Sequence, residues 1–226
     1  MKQTPNPIDP IARQLSVQCM LLRVGITGGI GSGKSYICKR LEEAGHRVFY
    51  CDDEAKRIMR THPDVRRELT ALVGPDLYSA EDASLQKSVM RAYLCQGEEY
   101  AERVNAVVHP RVAQAYSDFC REMAEQGRAE AAHKETIFPT SKEISLPQLQ
   151  QLPRGSVAFM ECALLFESGF STLVEKSVLV HVSAATQLKR VMQRDQISAE
   201  RARQWIALQM SEEEKMRLAD AVLVNE

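Results

Sequence analysis

The chain has 226 residues, 44% of them hydrophobic and 26% charged, which is enough for one domain with a sizeable buried core. A formal net charge of -1 offers no basic excess for nucleic acid or an anionic membrane, so any phosphate binding has to be local. Six cysteines lie scattered without a C-x-x-C pair, a pattern of small buried thiols in a reducing cytoplasm and not of disulfides or zinc.

No apolar run is long enough to span a bilayer, and the first residues carry prolines and charges in place of an apolar leader. A cytoplasmic monomer is expected. Residues 1–20 read as an N-terminal extension with weak periodicity. Residues 21–27 (LLRVGIT) form a short apolar strand that enters a glycine-rich loop. A helix is predicted over 34–44, stopped by Gly45. Residues 46–51 (HRVFYC) read as a second strand, followed at once by Asp52 and Asp53. Strand, helix and strand in this order make a βαβ unit with a parallel sheet.

Residues 54–126 are almost purely helical in pattern, with breaks at Pro63, Gly74-Pro75, Gly97 and His109-Pro110. They predict a helical lobe inserted between the second and third strands. Residues 127–155 lose periodicity and read as an irregular surface insert. Strands resume at 157–161 and 177–182. Helices follow at 184–195 and 199–210, the second capped by Ser198, and 221–224 reads as a fifth strand. Trp205 falls at helical spacing and is expected in the core.

Gly28-Gly29-Ile30-Gly31-Ser32-Gly33-Lys34-Ser35 fits G-x-x-x-x-G-K-[ST] in full, between a predicted strand and a predicted helix. Glycines let backbone N–H groups turn inward around a phosphate, and the helix N-terminus adds the positive end of its dipole. Lys34 supplies a mobile charge for the β- and γ-phosphates of ATP, and the Ser35 hydroxyl suits Mg²⁺. Gly29 to Gly33, with Tyr36 one residue beyond Ser35, complete the expected ATP-binding stretch. The alternative is a glycine turn that binds nothing.

Asp52 and Asp53 follow the second strand, at the edge where open α/β sheets place their sites. Either can take a proton from an acceptor hydroxyl or merely cap the next helix. Neighbours at a strand end point to opposite sides, so only one of them faces the cleft. Arg190 and Arg194 are spaced to share one helical face, either closing over ATP or standing in solvent. His109-Pro110-Arg111 is placed at a junction between two helices, with Pro110 at the first position of the second; His109 and Arg111 either bind an anionic acceptor or cap. Glu161 ends the third strand, where a carboxylate orders Mg²⁺ through water or pairs with a nearby base. Glu167 follows it and reads as pairing with a nearby Lys or Arg.

Taken together, GITGGIGSGKS, the EAKR after the second strand, VVHPRV, ALLFE, VHVSAATQLKRVMQRD and LADAVLVN resemble the dephospho-CoA kinase family in order from about residue 21 to 225. The resemblance implies a three-layer α/β P-loop kinase fold with a five-stranded parallel sheet, a helical acceptor lobe for CoA and a small helical lid at about 184–210. It implies transfer of the ATP γ-phosphoryl to the ribose 3′-hydroxyl of 3′-dephospho-CoA, the last step of CoA biosynthesis. By the same resemblance Asp52 matches the second acid of a D-x-D and is the base, with Tyr50 in place of the first. Lys34 and Arg190 share the catalytic work. His109, Arg111, Leu164 and Glu167 match the acceptor side, and Arg190 and Arg194 the lid. The first twenty residues and the 127–155 insert fall outside the family pattern, which usually continues past Asn225-Glu226 into a final helix. The competing readings are another P-loop kinase for nucleosides or shikimate-like acids, and a catalytically silent nucleotide-binding protein.

Overall fold

The computed structural model describes residues 7–18, 21–127 and 137–226. Helix α1 (Asp9–Gln18) leads into β1 (Leu22–Thr27), α2 (Lys34–Glu43) and β2 (Arg47–Tyr50). Four helices follow: α3 (Cys51–Thr61), α4 (Pro63–Val73), α5 (Lys87–Leu94) and α6 (Glu98–Gly127). Beyond them come β3 (Glu143–Ile144), α7 (Leu146–Gln150), β4 (Val157–Glu161) and β5 (Lys176–His181), and then α8 (Ala184–Asp195), α9 (Ala199–Ala207), α10 (Glu212–Leu218) and β6 (Ala221–Val224).

The strands form one parallel sheet in the order β2-β4-β1-β5-β6-β3. Central strands buried on both faces carry continuous apolar runs, and β4 (VAFME) is buried along its whole length. Its residues alternate between two cores, as the pleat requires. Val157 and Phe159 join Ile37, Leu41 and Leu149 of α2 and α7 on one face. Ala158 and Met160 join α1, α3 and α6 on the other. The result is three layers.

Five expectations change here. The sheet has six strands and not five, because β3 adds an edge strand to β6. Two residues are too few to show a period. Much of the predicted irregular insert is ordered around it: Phe138, Ile144, Leu149 and Leu152 are buried, and Ser145 opens α7 with its N–H donating to Gln148 Oε1 at 2.7 Å. Residues 128–136 of that insert lie outside the described residues. The N-terminal extension contains helix α1, which buries Leu15 and half-buries Ile11 and Ala12 against the core, with Ile8 buried in the turn just before it. That i, i+3, i+4, i+7 stripe is a helical face, with Pro10 near the helix start where proline is tolerated.

The predicted break at His109-Pro110 is absent, since α6 runs through Pro110 without ending. A proline inside a helix removes a hydrogen bond and crowds the preceding turn, at a cost of about 3 kcal/mol. Val104, Val108, Val112, Tyr116 and Cys120, four apart, are all buried along one stripe. Their burial at roughly 1.5–3 kcal/mol per large side chain outweighs that cost. Trp205 is half-buried on α9 and outside the buried clusters, with Arg201 over its ring. No helix among the described residues is long and apolar enough to cross a membrane.

Candidate active site

The chain leaves β1 toward β2 on one side and leaves β5 toward β6 on the other. The crevice at the carboxyl ends of β1 and β5 is therefore a topological switch point, where open α/β sheets bind ligands. Residues 28–35 occupy it. Gly28 has φ 151° and Gly33 has φ 92°, backbone positions that favour glycine. Space enforces the same choice. A side chain at Gly28 would meet the Val180 carbonyl at 2.5 Å, and one at Gly33 would collide with the Asn225 amide. Gly33 caps α2, so the loop delivers its N–H groups to a helix N-terminus.

Lys34 is buried and donates to the loop's own carbonyls, Gly28 O at 2.7 Å and Gly29 O at 3.2 Å. Burial pushes its ammonium pKa down, Glu161 pulls it up, Lys215 lowers it and Asp52 raises it. Glu161, buried at the end of β4, is pushed up by burial, lowered by Lys34 and raised by Asp52. These groups form one electrostatic unit. Ser35 is exposed in the first turn of α2, and the buried Ser32 hydroxyl has no hydrogen-bond partner among the described residues.

Asp52 and Asp53 lie in the first turn of α3 and not at a strand end. The argument from strand alternation therefore does not apply to them; on a helix, neighbours diverge by about 100°. Asp53 pairs with Lys56 at 3.0 Å on the outer face. Both aspartates raise Glu161, but of the two it is Asp52 that acts on Lys34. Tyr50 is turned to Glu42, donating to its Oε2 at 3.0 Å.

The arginines separate. Arg190 donates to the Asn225 carbonyl at 2.8 Å, beside the loop. Arg194, one turn on, forks onto its neighbour Asp195 in solvent, with Nη2 2.8 Å from Oδ2. Tyr36 is exposed and lines an open groove with Leu146 and Val224. His109 is half-buried, its ring 5.2 Å from that of Phe170, and burial lowers its pKa. Arg111 pairs with Glu68 of α4 at 3.5 Å. Leu164 is exposed. Glu167 accepts the Met210 N–H at 3.2 Å and lies 3.3 Å from the ammonium of Lys215.

Three residues that hold the loop escape sequence reasoning. Gln209 accepts from Ile30 N–H at 2.7 Å, and Gln187 donates to the Ile30 carbonyl at 3.0 Å. Asn225 donates to the Ser32 carbonyl at 2.9 Å. Gln187 and Asn225 fall inside the TQLKR and LADAVLVN stretches and Gln209 lies between them, but single amides carry no period that would set them apart.

A model of the dephospho-CoA kinase family matches residues 22–130 and 123–226. The dephospho-CoA kinase of Bacteroides fragilis strain YCH46 is 34% identical over 207 residues, 92% of this chain and 86% of the relative. That of Salinibacter ruber is 33% identical over 203 residues, 90% of this chain and 88% of the relative. Among solved structures, the Thermus thermophilus protein TT1252 superposes with a TM-score of 0.66 at 28% identity, covering 91% of this chain and 89% of that one. The dephospho-CoA kinase from Campylobacter jejuni shares the fold, with a TM-score of 0.53 at 17% identity over 92% of this chain and 89% of its own. With the phosphate loop seated at the switch point and the match running the length of the sheet, the chain belongs to the dephospho-CoA kinase family.

Proposed function

We propose that this chain moves the γ-phosphoryl of ATP to the ribose 3′-hydroxyl of 3′-dephospho-CoA, giving CoA and ADP in the cytoplasm. One observation carries the reading: in a chain of this family, the loop 28–35 sets buried Lys34 in one electrostatic unit with Glu161 and Asp52. Phosphoryl transfer needs little covalent help from the protein; it needs positioning and charge placed where charge spreads. Lys34 leaves the carbonyls of Gly28 and Gly29 to meet the β- and γ-phosphates. Asp52 holds the incoming hydroxyl in line and takes its proton. Arg190 and, after a rotamer change, Arg194 neutralise the γ-phosphoryl from the α8 side. His109, Arg111 and Leu164 border the acceptor lobe formed by α3 to α6.

The donors fit a hard cation: the exposed Ser35 hydroxyl and the Glu161 carboxylate are oxygen ligands. Among the described residues no three His, Cys, Asp or Glu side chains group where they could hold a metal ion. Ser35 and, through water, Glu161 would hold Mg²⁺, which neutralises charge on the phosphate oxygens. The free thiols of Cys38, Cys51, Cys95, Cys120 and Cys162 suit a reducing cytoplasm.

An acceptor panel tests the reading. ADP release from ATP is measured with dephospho-CoA, a nucleoside or shikimate. Turnover is expected with dephospho-CoA and background with the others; equal or better turnover with another acceptor overturns it.

A further inference from the structure

Lys215 is the most deeply buried charge in the described chain: its side chain in α10 has no exposure to water. Its ammonium lies 3.3 Å from Glu167 Oε1, yet it makes no hydrogen bond to any described residue. An ammonium carries three donors, and leaving them unmet out of water costs several kcal/mol. Glu167 is a shared partner, since the same oxygen accepts the Met210 N–H. The flanking chain is fixed: Ala219 and Val222 pack on Leu179 of β5, with Phe166 and Met216 around them. Lys215 is thus held in place and short of acceptors.

The same ammonium acts on Lys34 strongly enough to lower it, more than Asp52 raises it. Geometry puts Lys215 beside the loop: Glu167, its partner, accepts the Met210 N–H, and the adjacent Gln209 accepts from Ile30 of the loop. One polyanion bound there relieves both buried cations. Taking the loop 28–35 as the phosphate site, on which this rests, we infer that Lys215 is a second phosphoryl-binding lysine, contacting the transferred group from the Glu167 side while Lys34 contacts it from the loop. Glu167 is then a positioning residue for Lys215, and in the ligand-free protein it partly offsets the charge that the phosphoryl group neutralises on binding.

The test uses Lys215→Met, which keeps the stem and removes the charge, and the double variant Lys215→Met/Glu167→Gln, which leaves no lone charge buried. Replacing a buried ion pair by neutral groups is often neutral or stabilising. Thermal melts are run without ligand and with tripolyphosphate as the probe, and ADP release is measured with ATP and dephospho-CoA. Wild type and Lys34→Ala are run alongside. Ligand-free melting of the double variant is expected at or above that of wild type. Most of the tripolyphosphate-induced shift should vanish, and kcat should fall by about 100-fold. A folded double variant that keeps the shift and a kcat within a few-fold of wild type overturns the inference alone. So does failure of both variants to fold, which makes Lys215 structural. A wild type that tripolyphosphate does not stabilise, with an unimpaired Lys34→Ala, overturns the loop assignment as well.

Discussion

Gln209 takes the backbone N–H of Ile30 at 2.7 Å across 179 residues of sequence. Gln187 gives its side-chain amide to the carbonyl of the same residue at 3.0 Å. The tip of the phosphate loop is thus clasped on both its donor and its acceptor by the segment running from α8 past α9. Each of these neutral hydrogen bonds is worth about 0.5–1.5 kcal/mol. Gln209→Ala is expected to raise the KM for ATP by about 2–12-fold, the ratio those energies convert to, with a smaller change in kcat. Steady-state kinetics check it; an unchanged KM means the clasp does not organise the loop.

Lys34→Ala removes the charge nearest the loop carbonyls and should lower kcat by at least ~100-fold. Arginine is too broad and too planar to restore a point charge inside this cradle, so Lys34→Arg should stay impaired. Near-normal turnover in Lys34→Ala would falsify the phosphate role of the loop.

The split between Arg190 and Arg194 gives a graded expectation. Arg190 reaches the Asn225 carbonyl at the loop, whereas Arg194 must first leave Asp195. Arg190→Ala should therefore lower kcat/KM more than Arg194→Ala does. Exposed helix positions change stability by no more than ~0.5 kcal/mol, so the Arg194→Ala melt should match wild type. If melts and kcat/KM fall together for both, the arginines are structural.

Asp52→Asn keeps the shape of the carboxylate and removes its capacity to take a proton. The expected drop in kcat is roughly 10²–10⁴, the range of general bases, with ATP affinity little changed. Asp53→Asn loses the exposed pair with Lys56 and should retain activity. Assayed side by side with dephospho-CoA, the reverse pattern assigns the base to Asp53.

Burial lowers the pKa of His109, and of His46 as well, where a contact to the Gln150 carbonyl opposes it. Each imidazole takes up a proton less readily in the folded chain than in the unfolded one. Protonation therefore favours unfolding: stability is full above the ordinary histidine pKa of about 6.5 and is lost as pH falls from there through the depressed folded value. Urea unfolding between pH 8 and 5 should show this loss, and His109→Phe should flatten it. An unchanged pH slope in His109→Phe contradicts the assignment.

The sequence made the loop readable because eight consecutive residues carry its chemistry, and it made the central strands readable because β4 and β5 are continuous apolar runs. The edges of the fold were less visible. Strand β3 has two residues, the α1 stripe is masked by neighbouring prolines, and Pro110 reads as a break because local propensity says nothing of the buried stripe that carries α6 through it. In the site, the strand-end argument fails because α3 begins at Cys51, so the choice of Asp52 as base rests on the family resemblance. Gln187, Gln209, Asn225 and Lys215 act through contacts between residues distant in sequence, which no local pattern encodes.

The central claim, transfer to the 3′-hydroxyl, is tested most directly by following the label from γ-³²P ATP incubated with dephospho-CoA and the enzyme. The expected product carries the label in the 3′-phosphomonoester of CoA, formed mole for mole with ADP. Label recovered only as inorganic phosphate, or on any other position of the acceptor, contradicts it.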